Sequence, residues 1–364
     1  MKILQIGSSL HHSGGIEKYI LQLSHGLQQI GHDVHISAPP GSWLLRKARE
    51  IGITGHSLRI WHQHDIFGLN PHRKLFRNEH FDVVNAHFSR DYLVPTLAAR
   101  MEKQKGIVIT RHMCHCWPHL RRWMYGTLLS DHIIGVSQAV GKAMREGGIH
   151  SSRLSVVLSG IDPPPEVLPV KLAEELRLPS DTVYIGVVSR LVIEKGHLFL
   201  LKAMLHTNCR VCCLIVGDGE ERKRLEQFTR ENGLEERVKF MGWREDSDAI
   251  MRALDVVVVP SLWEEACSLS LLEAMAASRP LIVTHSGGNA ELVSDNENGI
   301  LVNKNDVPAL ANAINQLAAS KSLREKMGAS GYARQRKLFT LERMVRDTES
   351  VYSKLIQTKT GVGE

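Results

Sequence analysis

Three stretches of the chain combine residue types able to grip an anionic, hydroxyl-rich ligand. In the first, Ser13-Gly14-Gly15-Ile16-Glu17 follows the apolar run Lys2–Ile6 and opens a helical pattern. Two glycines let a ligand approach the backbone, and the N–H groups of a helix start attract an anion. The spacing is not G-x-G-x-x-G, so a dinucleotide fingerprint is absent. In the second, Ser189-Arg190-Leu191-Val192-Ile193-Glu194-Lys195-Gly196 sets Arg190 and Lys195 at the carboxyl end of an apolar strand. Two cations there neutralise a diphosphate without a metal. In the third, a strand over 255–259 ends at Pro260, Glu265 lies in the loop, and Glu273 follows eight positions on, inside the next helix. Such a pair suits hydroxyls on two different groups, with the helix start near a phosphate between them. Each stretch alone also has a plainer reading: a tight turn, surface cations before a helix, an acidic residue at a helix start.

These residues need strands and helices to position them, and the pattern supplies both. Short apolar runs at 2–6, 34–38, 81–84, 107–110, 132–136 and 155–158 alternate with helical periodicity, as over 16–30. A proline run, Pro163-Pro164-Pro165, breaks the composition, and the alternation then restarts. Strands are predicted at 184–188, 211–216, 238–241, 255–259 and 281–284. Helices are predicted at 196–205, 220–232, 246–254, 268–277 and 306–319, with two more over 322–357 divided near Phe339-Thr340. Residues from Thr358 on are expected to fray. Strands separated by helices imply α/β architecture with parallel sheets. The expected organisation is an N-terminal Rossmann-like domain over 1–162, a linker at 163–169, and a second Rossmann-like domain over 170–339. Two such sheets facing a central cleft both present their carboxyl edges to it.

Other candidate motifs carry less. Asp246-Ser247-Asp248 has metal-binding form but precedes a helical pattern and reads better as an N-cap. Cys209-x-x-Cys212-Cys213 runs into an apolar strand, which favours cysteine as a small hydrophobe. His112-Met113-Cys114-His115-Cys116 is dense in ligand types, but zinc sites usually pair ligands over longer loops.

Taken in order, the Gly14-Gly15 loop, the Ser-Arg-Leu…Glu-Lys-Gly run, Val216-Gly217-Asp218-Gly219, the Glu265/Glu273 pair and Ser286-Gly287-Gly288…Glu291 resemble the retaining glycosyltransferases of family 4, group 1. The resemblance covers nearly the whole chain and is strongest from about 184 to 302. It implies the two-domain GT-B fold, with a C-terminal helix over 340–364 returning to the first domain. It also implies sugar transfer from a nucleotide-sugar co-substrate, with no cofactor or metal and with same-face attack on the anomeric carbon. Arg190 and Lys195 would then hold the departing diphosphate, Glu265 the hydroxyls of the donor sugar, and Glu273 the ribose. Gly14, Gly15, Gly217, Ser268 and Leu269 would complete the donor site, the Gly15 amide contacting the distal phosphate. His112, after the run 107–110, would face the donor sugar, and His87 would lie on the acceptor side. Where many relatives have Gly-Phe-Gly after the first glutamate, this chain has Ala266-Cys267-Ser268.

Composition bounds the partners. The chain has 364 residues with 43% hydrophobic and 23% charged, ordinary for a globular protein. No run approaches 18 apolar residues, which excludes a membrane-spanning helix, and the start does not read as a signal peptide. Six cysteines fit a reducing compartment. A cytoplasmic enzyme is expected. Residues 1–166 hold 19 Lys/Arg against 12 Asp/Glu, and 16 of the 19 histidines. Leu120-Arg121-Arg122-Trp123-Met124-Tyr125 and Arg73-Lys74-Leu75-Phe76-Arg77 mix cations with aromatics, which suits an anionic membrane surface or a lipid-linked acceptor. The resemblance implies an acceptor hydroxyl on a glycan, a glycolipid or another molecule, in envelope polysaccharide or lipopolysaccharide synthesis, and the basic first part suits one met at the inner face of the cytoplasmic membrane. No nucleic-acid motif accompanies the charge. Two other classes remain in view: an NAD(P)-dependent oxidoreductase, which lacks its fingerprint, and a non-catalytic binding protein of the same fold. The presence of Arg190, Lys195, Glu265 and Glu273 argues against the latter.

Overall fold

The computed structural model describes residues 1–8, 14–62, 64–162, 168–208 and 210–360. The chain divides into two compact units: Met1–Gly160 with Leu341–Glu364, and Ile161–Thr340. Most of the proline-rich segment, 163–167, lies outside the described residues, as do Ser13 and Cys209.

The first unit is built on seven strands: β1 (Lys2–Ile6), β2 (Asp33–Ala38), β3 (Thr54–Ser57), β4 (Val83–Ala86), β5 (Gly106–Arg111), β6 (His132–Gly135) and β7 (Leu154–Val156). They pair in parallel in the order β3-β2-β1-β4-β5-β6-β7. The inner strands β4 and β5 are buried along their whole length, as expected where helices cover both faces. The helix Gly15–Gln29 buries Tyr19, Ile20, Leu23 and Leu27 against the sheet. The helix Leu341–Thr360 packs beside it and buries Met344, Val345 and Tyr352. It continues to Thr360, past the expected fraying at Thr358.

Two strand readings in this unit needed the tertiary structure. β3 is Thr-Gly-His-Ser, with no apolar run to announce it; it forms because β2 offers an edge with which to pair. β4 begins two residues later than predicted, because the Asp82 side chain accepts the backbone N–H of Lys2 at 2.8 Å and pairing with β1 starts at Val83.

The second unit carries β8 (Val183–Val188), β9 (Val211–Val216), β10 (Val238–Gly242), β11 (Val256–Val259), β12 (Leu281–Thr284) and β13 (Gly299–Val302), all parallel in the order β10-β9-β8-β11-β12-β13. Its core includes Ile185, Val187, Leu200, Ile215, Val258, Ile282, Leu310 and Ile314. Cys213 belongs to that core and Cys212 is buried beside it. Burial raises both thiols, Cys212 to about 11, so they behave as small hydrophobes.

In each sheet the strand order reverses once, at β1/β4 and at β8/β11. Loops leaving neighbouring strands there run to opposite sides and open a crevice at the carboxyl edge. Two glycines draw the loops of the second crevice together. Gly196 has φ +71° and Gly217 has φ +135°. A Cβ at Gly196 would overlap the Pro260 carbonyl oxygen, and one at Gly217 the Ser189 carbonyl oxygen. Gly196→Ala is therefore expected to cost about 1–3 kcal/mol from strained backbone alone, and more from the overlap. The readout is the urea midpoint compared with Gly31→Ala, where φ is also positive but nothing lies within 4 Å. Equal shifts would show that the close approach to Pro260 is dispensable.

Candidate active site

In the second unit, the residues after β8 and β11 meet. The chain leaves β8 through Ser189 and Arg190, makes a short turn at Ile193–Lys195, and enters the helix His197–Met204. It leaves β11 through Pro260 and a loop that reaches the helix Leu269–Ala276. Lys195 Nζ donates to Glu265 Oε1 at 2.6 Å, and Ser261 Oγ donates to the same oxygen at 2.9 Å. The two side chains are only 21% and 18% exposed, so this pair is far less screened than a surface ion pair. Arg190 is exposed and has no ion-pair partner among the described residues. Below this turn, His197 is buried with Nε2 3.1 Å from Ser189 Oγ. Burial, assisted by the Lys195 charge, pushes its imidazole down to about 4, so the ring is neutral and leaves Lys195 as the cation.

The loop that carries Glu265 is held at both ends by one turn. The Gly288 N–H donates to the Glu265 carbonyl at 2.7 Å, and the Ser268 N–H donates to Asn289 Oδ1 at 2.9 Å. Asn289 thus restrains the end of the Ala266-Cys267-Ser268 loop. Ser268 occupies the N-cap position, but its hydroxyl does not cap the helix; it bonds Ser270 Oγ at 2.8 Å. Leu269 starts that helix and Glu273 lies half-buried within it. Gly217 follows β9, and its N–H donates to the Gly242 carbonyl at 2.8 Å.

In the first unit, Gly14 is the N-cap of the helix Gly15–Gln29, with extended backbone. The residues after β4 and β5 are His87 and His112. His87 Nδ1 lies 3.2 Å from His112 Nε2, and the Tyr19 ring meets His112 edge-on. His112 is partly buried and lines a cavity of about 180 Å³ with Ile16, Phe88, Arg90 and Met113. Its pKa is pushed down to about 3, by burial first and then by the neighbouring Arg111 guanidinium. His87 is held well below 6.5 by burial and by His112. His87, expected on the acceptor side, is only 1% exposed, and Gln5 and His112 take its two nitrogens. It nevertheless lines the same cavity as His112.

Two further expectations change. Asp246 is at an N-cap position, but both its carboxylate oxygens bond Arg244 at 2.7 Å and no side-chain cap forms. In 73–77, Arg73 and Arg77 both bond Glu102, at 2.6 and 3.0 Å, and Phe76 is core, so that run offers no aromatic surface. Arg121 is exposed on the helix His119–Trp123, while Arg122 Nη2 lies 2.6 Å from His119 Nδ1. Among the described residues no three His, Cys, Asp or Glu side chains converge as a metal site, and no helix is long and apolar enough to cross a membrane.

Two family models match: "Glycosyltransferase Family 4" over residues 13–164 and "Glycosyl transferases group 1" over 171–334. The chain belongs to the group 1 glycosyltransferases of family 4. A lipopolysaccharide core biosynthesis glycosyltransferase of Rhizobium meliloti, LpsE, is 33% identical over 43% of this chain and 46% of its own, so the match spans less than half of that relative. The Escherichia coli UDP-Gal:alpha-D-GlcNAc-diphosphoundecaprenol alpha-1,3-galactosyltransferase is 27% identical over 69% of this chain and 70% of its own. Anabaena HepE, solved with UDP-glucose, superposes with a TM-score of 0.86 over 97% of this chain and all of its own, at 22% identity. That likeness establishes the GT-B fold.

In this glycosyltransferase several site residues were not singled out by spacing: Ser261, His197 and Asn289 in the second unit, Gln5 and Tyr352 in the first. Gln5 and Asn85 did leave a signal, each a lone amide within a buried apolar strand. Tyr352 and Asn289 left none, because their partners are distant in sequence.

The His197 shift has a stability consequence. The unfolded imidazole titrates near 6.5 and the folded one near 4, so between those values the unfolded chain binds more protons. Stability is present above pH 6.5 and is lost as pH falls toward 4, by about 3 kcal/mol. Buried Asp91, whose carboxyl burial raises to about 7, acts in the opposite direction, so the informative quantity is wild type minus His197→Gln. That difference in unfolding free energy should shrink from pH 7 to pH 4.5. A pH-independent difference would mean that His197 is not buried as a neutral ring.

Proposed function

We propose that this glycosyltransferase moves a sugar from a nucleotide-sugar donor to a hydroxyl acceptor, retaining the anomeric configuration and using no metal. The observation that carries this reading is the half-hidden Lys195–Glu265 pair beside the exposed Arg190. A diphosphate reaching Arg190 draws Lys195 away from Glu265, and the released carboxylate then accepts hydroxyls of the donor sugar. Charge that grows on the departing diphosphate is met by two fixed cations, the work a metal ion does elsewhere. Ser268 and Leu269 offer a helix start to phosphate, Gly217 leaves room for the nucleotide, and Glu273 takes the ribose. Gly14 and Gly15 form a second anion-attracting helix start, and His112 serves the transferred sugar as a neutral hydrogen-bonding ring. The UDP-sugars associated with HepE and the Escherichia coli relative make them the first donors to test.

For the acceptor, we take a lipid-linked or glycan hydroxyl of envelope synthesis, as the relatives' names suggest, met by the first unit at the inner membrane face. The helix His119–Trp123 shows Leu120 76% and Trp123 58% exposed around the Arg121 cation. Phe67 is 86% exposed in a separate turn. Apolar side chains interleaved with cations suit an anionic bilayer surface.

Two experiments decide. A thermal-shift screen of UDP-, GDP- and ADP-sugars names the donor; Lys195→Ala is then expected to lower kcat about 10²–10³-fold, while EDTA leaves the wild type unchanged. Inhibition by EDTA that added Mn²⁺ reverses would refute the metal-free mechanism. Separately, Arg121→Glu/Arg122→Glu should reduce flotation with phosphatidylglycerol vesicles. Undiminished flotation would discard that helix as the docking element.

A further inference from the structure

The cavity that His112 lines in the first unit holds about 180 Å³ and is walled in part by His87, Arg90, Tyr92 and Met113. Its charges are unbalanced. Arg90 is half-buried in that wall and makes no ion pair among the described residues. Arg111 ends β5 directly before His112 and is only 1% exposed. Its Nη2 donates to the His115 carbonyl at 2.8 Å, and its Nη1 lies 3.6 Å from Met113 Sδ. The guanidinium sits 4.9 Å from the centre of the Trp117 ring and 6.0 Å from that of Tyr92. Among the described residues no carboxylate reaches it, and its Nε is buried without a partner. Met113 and Tyr92, which touch Arg111, also line the cavity, so the guanidinium stands directly behind its wall.

A buried charge is normally paired with an opposite one, because an ion taken from water without a partner is costly. The two rings offset part of that cost by cation–π attraction. They carry no net charge, however, and a buried charge is screened far less than one at the surface. The positive potential of Arg111 therefore extends into the cavity, where it adds to that of Arg90. Little there cancels it. The imidazoles of His87 and His112 are neutral. Asp91, next to Arg90, is fully buried, and its oxygens accept the Ser8 N–H at 3.1 Å, the Ser8 hydroxyl and the Phe88 N–H at 3.4 Å. Burial raises that carboxyl to about 7, so near neutral pH it carries only part of a charge. Propping the turn after β5 accounts for the place of Arg111, but not for a second unpaired cation, Arg90, lining the same space.

We propose that this cavity selects a substrate group bearing negative charge, a carboxylate or phosphate on a sugar, with Arg90 meeting the anion and Arg111 attracting it from behind the wall. The proposal rests on the reading of His112 as a residue that faces a sugar substrate, and it names the chemical class of that substrate. The anion either rides on the transferred sugar, as in a nucleotide hexuronate, or belongs to the acceptor, as in a sugar phosphate. Both bring the same chemistry to the cavity. A neutral hexose gains nothing from the two cations there.

The test titrates glucuronate, glucose 6-phosphate and glucose into the full chain labelled with ¹³C-methyl methionine. Met113 lines the cavity, and its methyl signal is assigned by its loss in Met113→Leu. At least one acidic probe should shift that signal saturably and bind about tenfold more tightly than glucose, the order expected of one charge-assisted hydrogen bond. Added salt should weaken the acidic probes and not glucose. Arg90→Gln should remove the advantage of the acid, and Arg90→Lys should restore part of it by keeping the charge. Arg111→Gln should also reduce it; should that variant fail to fold, Arg90→Gln decides alone. Equal affinity for glucose and the acids, or no shift from either acid up to tens of millimolar, overturns the proposal. So does an acid preference that survives Arg90→Gln undiminished. A thermal shift larger with UDP-glucuronate than with UDP-glucose, and equalised by Arg90→Gln, puts the charge on the transferred sugar. Equal thermal shifts beside a positive methyl titration put it on the acceptor. If no nucleotide-sugar binds at all, the glycosyl-transfer reading fails, while the methyl titration still decides what the cavity prefers.

Discussion

Lys195 and Glu265 are 70 positions apart in sequence and 2.6 Å apart in the fold, and the second unit is arranged around that contact. Two parallel strands, β8 and β11, must be neighbours at the point where strand order reverses, or their loops would not meet. The Lys195 turn can approach the Pro260 loop only because residue 196 is glycine. Ser261 adds a hydroxyl to the Glu265 carboxylate, and the Gly288-Asn289 turn fixes the rest of the loop. A cation and a carboxylate so placed largely neutralise each other in a half-hidden setting. The Ala266-Cys267-Ser268 loop is held by hydrogen bonds at Glu265 and Ser268.

The first unit solves a different problem, the placing of neutral imidazoles. Burial and neighbouring positive charge keep His87 and His112 uncharged. The histidine-rich, basic character of residues 1–166 loses some of its apparent meaning on this view. His35, His72 and His87 are buried. Arg73 and Arg77 share Glu102, Arg100 and Lys359 share Asp131, and Lys105 bonds Asp82. Part of the excess charge is therefore spent inside the unit, and what remains outward is concentrated at places such as Arg121 beside Leu120 and Trp123.

Both the α/β class and the donor-side motifs were legible in the chain itself. Apolar runs of strand length alternating with amphipathic helices specify parallel sheets through a local, repeating pattern. Arg190, Lys195, Glu265 and Glu273 could be picked out because each stands at a fixed offset from a strand end or within a helix start. β3 was not legible, since Thr-Gly-His-Ser carries no apolar signal and exists as a strand only by pairing with β2. Asp246 holds the predicted N-cap position, but Arg244, two residues away, takes its carboxylate, so no side-chain cap forms.

By itself, then, the sequence determined most strands of the two sheets, the family and the charged residues at strand ends, because these depend on periodicity and short spacing; β3 and β13 were left to the tertiary structure. Only the tertiary structure decided which groups face one another: Lys195 with Glu265, Asn289 with Ser268, Gln5 with Tyr352 across 347 positions. It also decided that His87 and His112 meet at one cavity, with His87 the more deeply buried of the two. Burial and hydrogen-bond direction are properties of what surrounds a residue in space, and strands distant in the chain supply those surroundings.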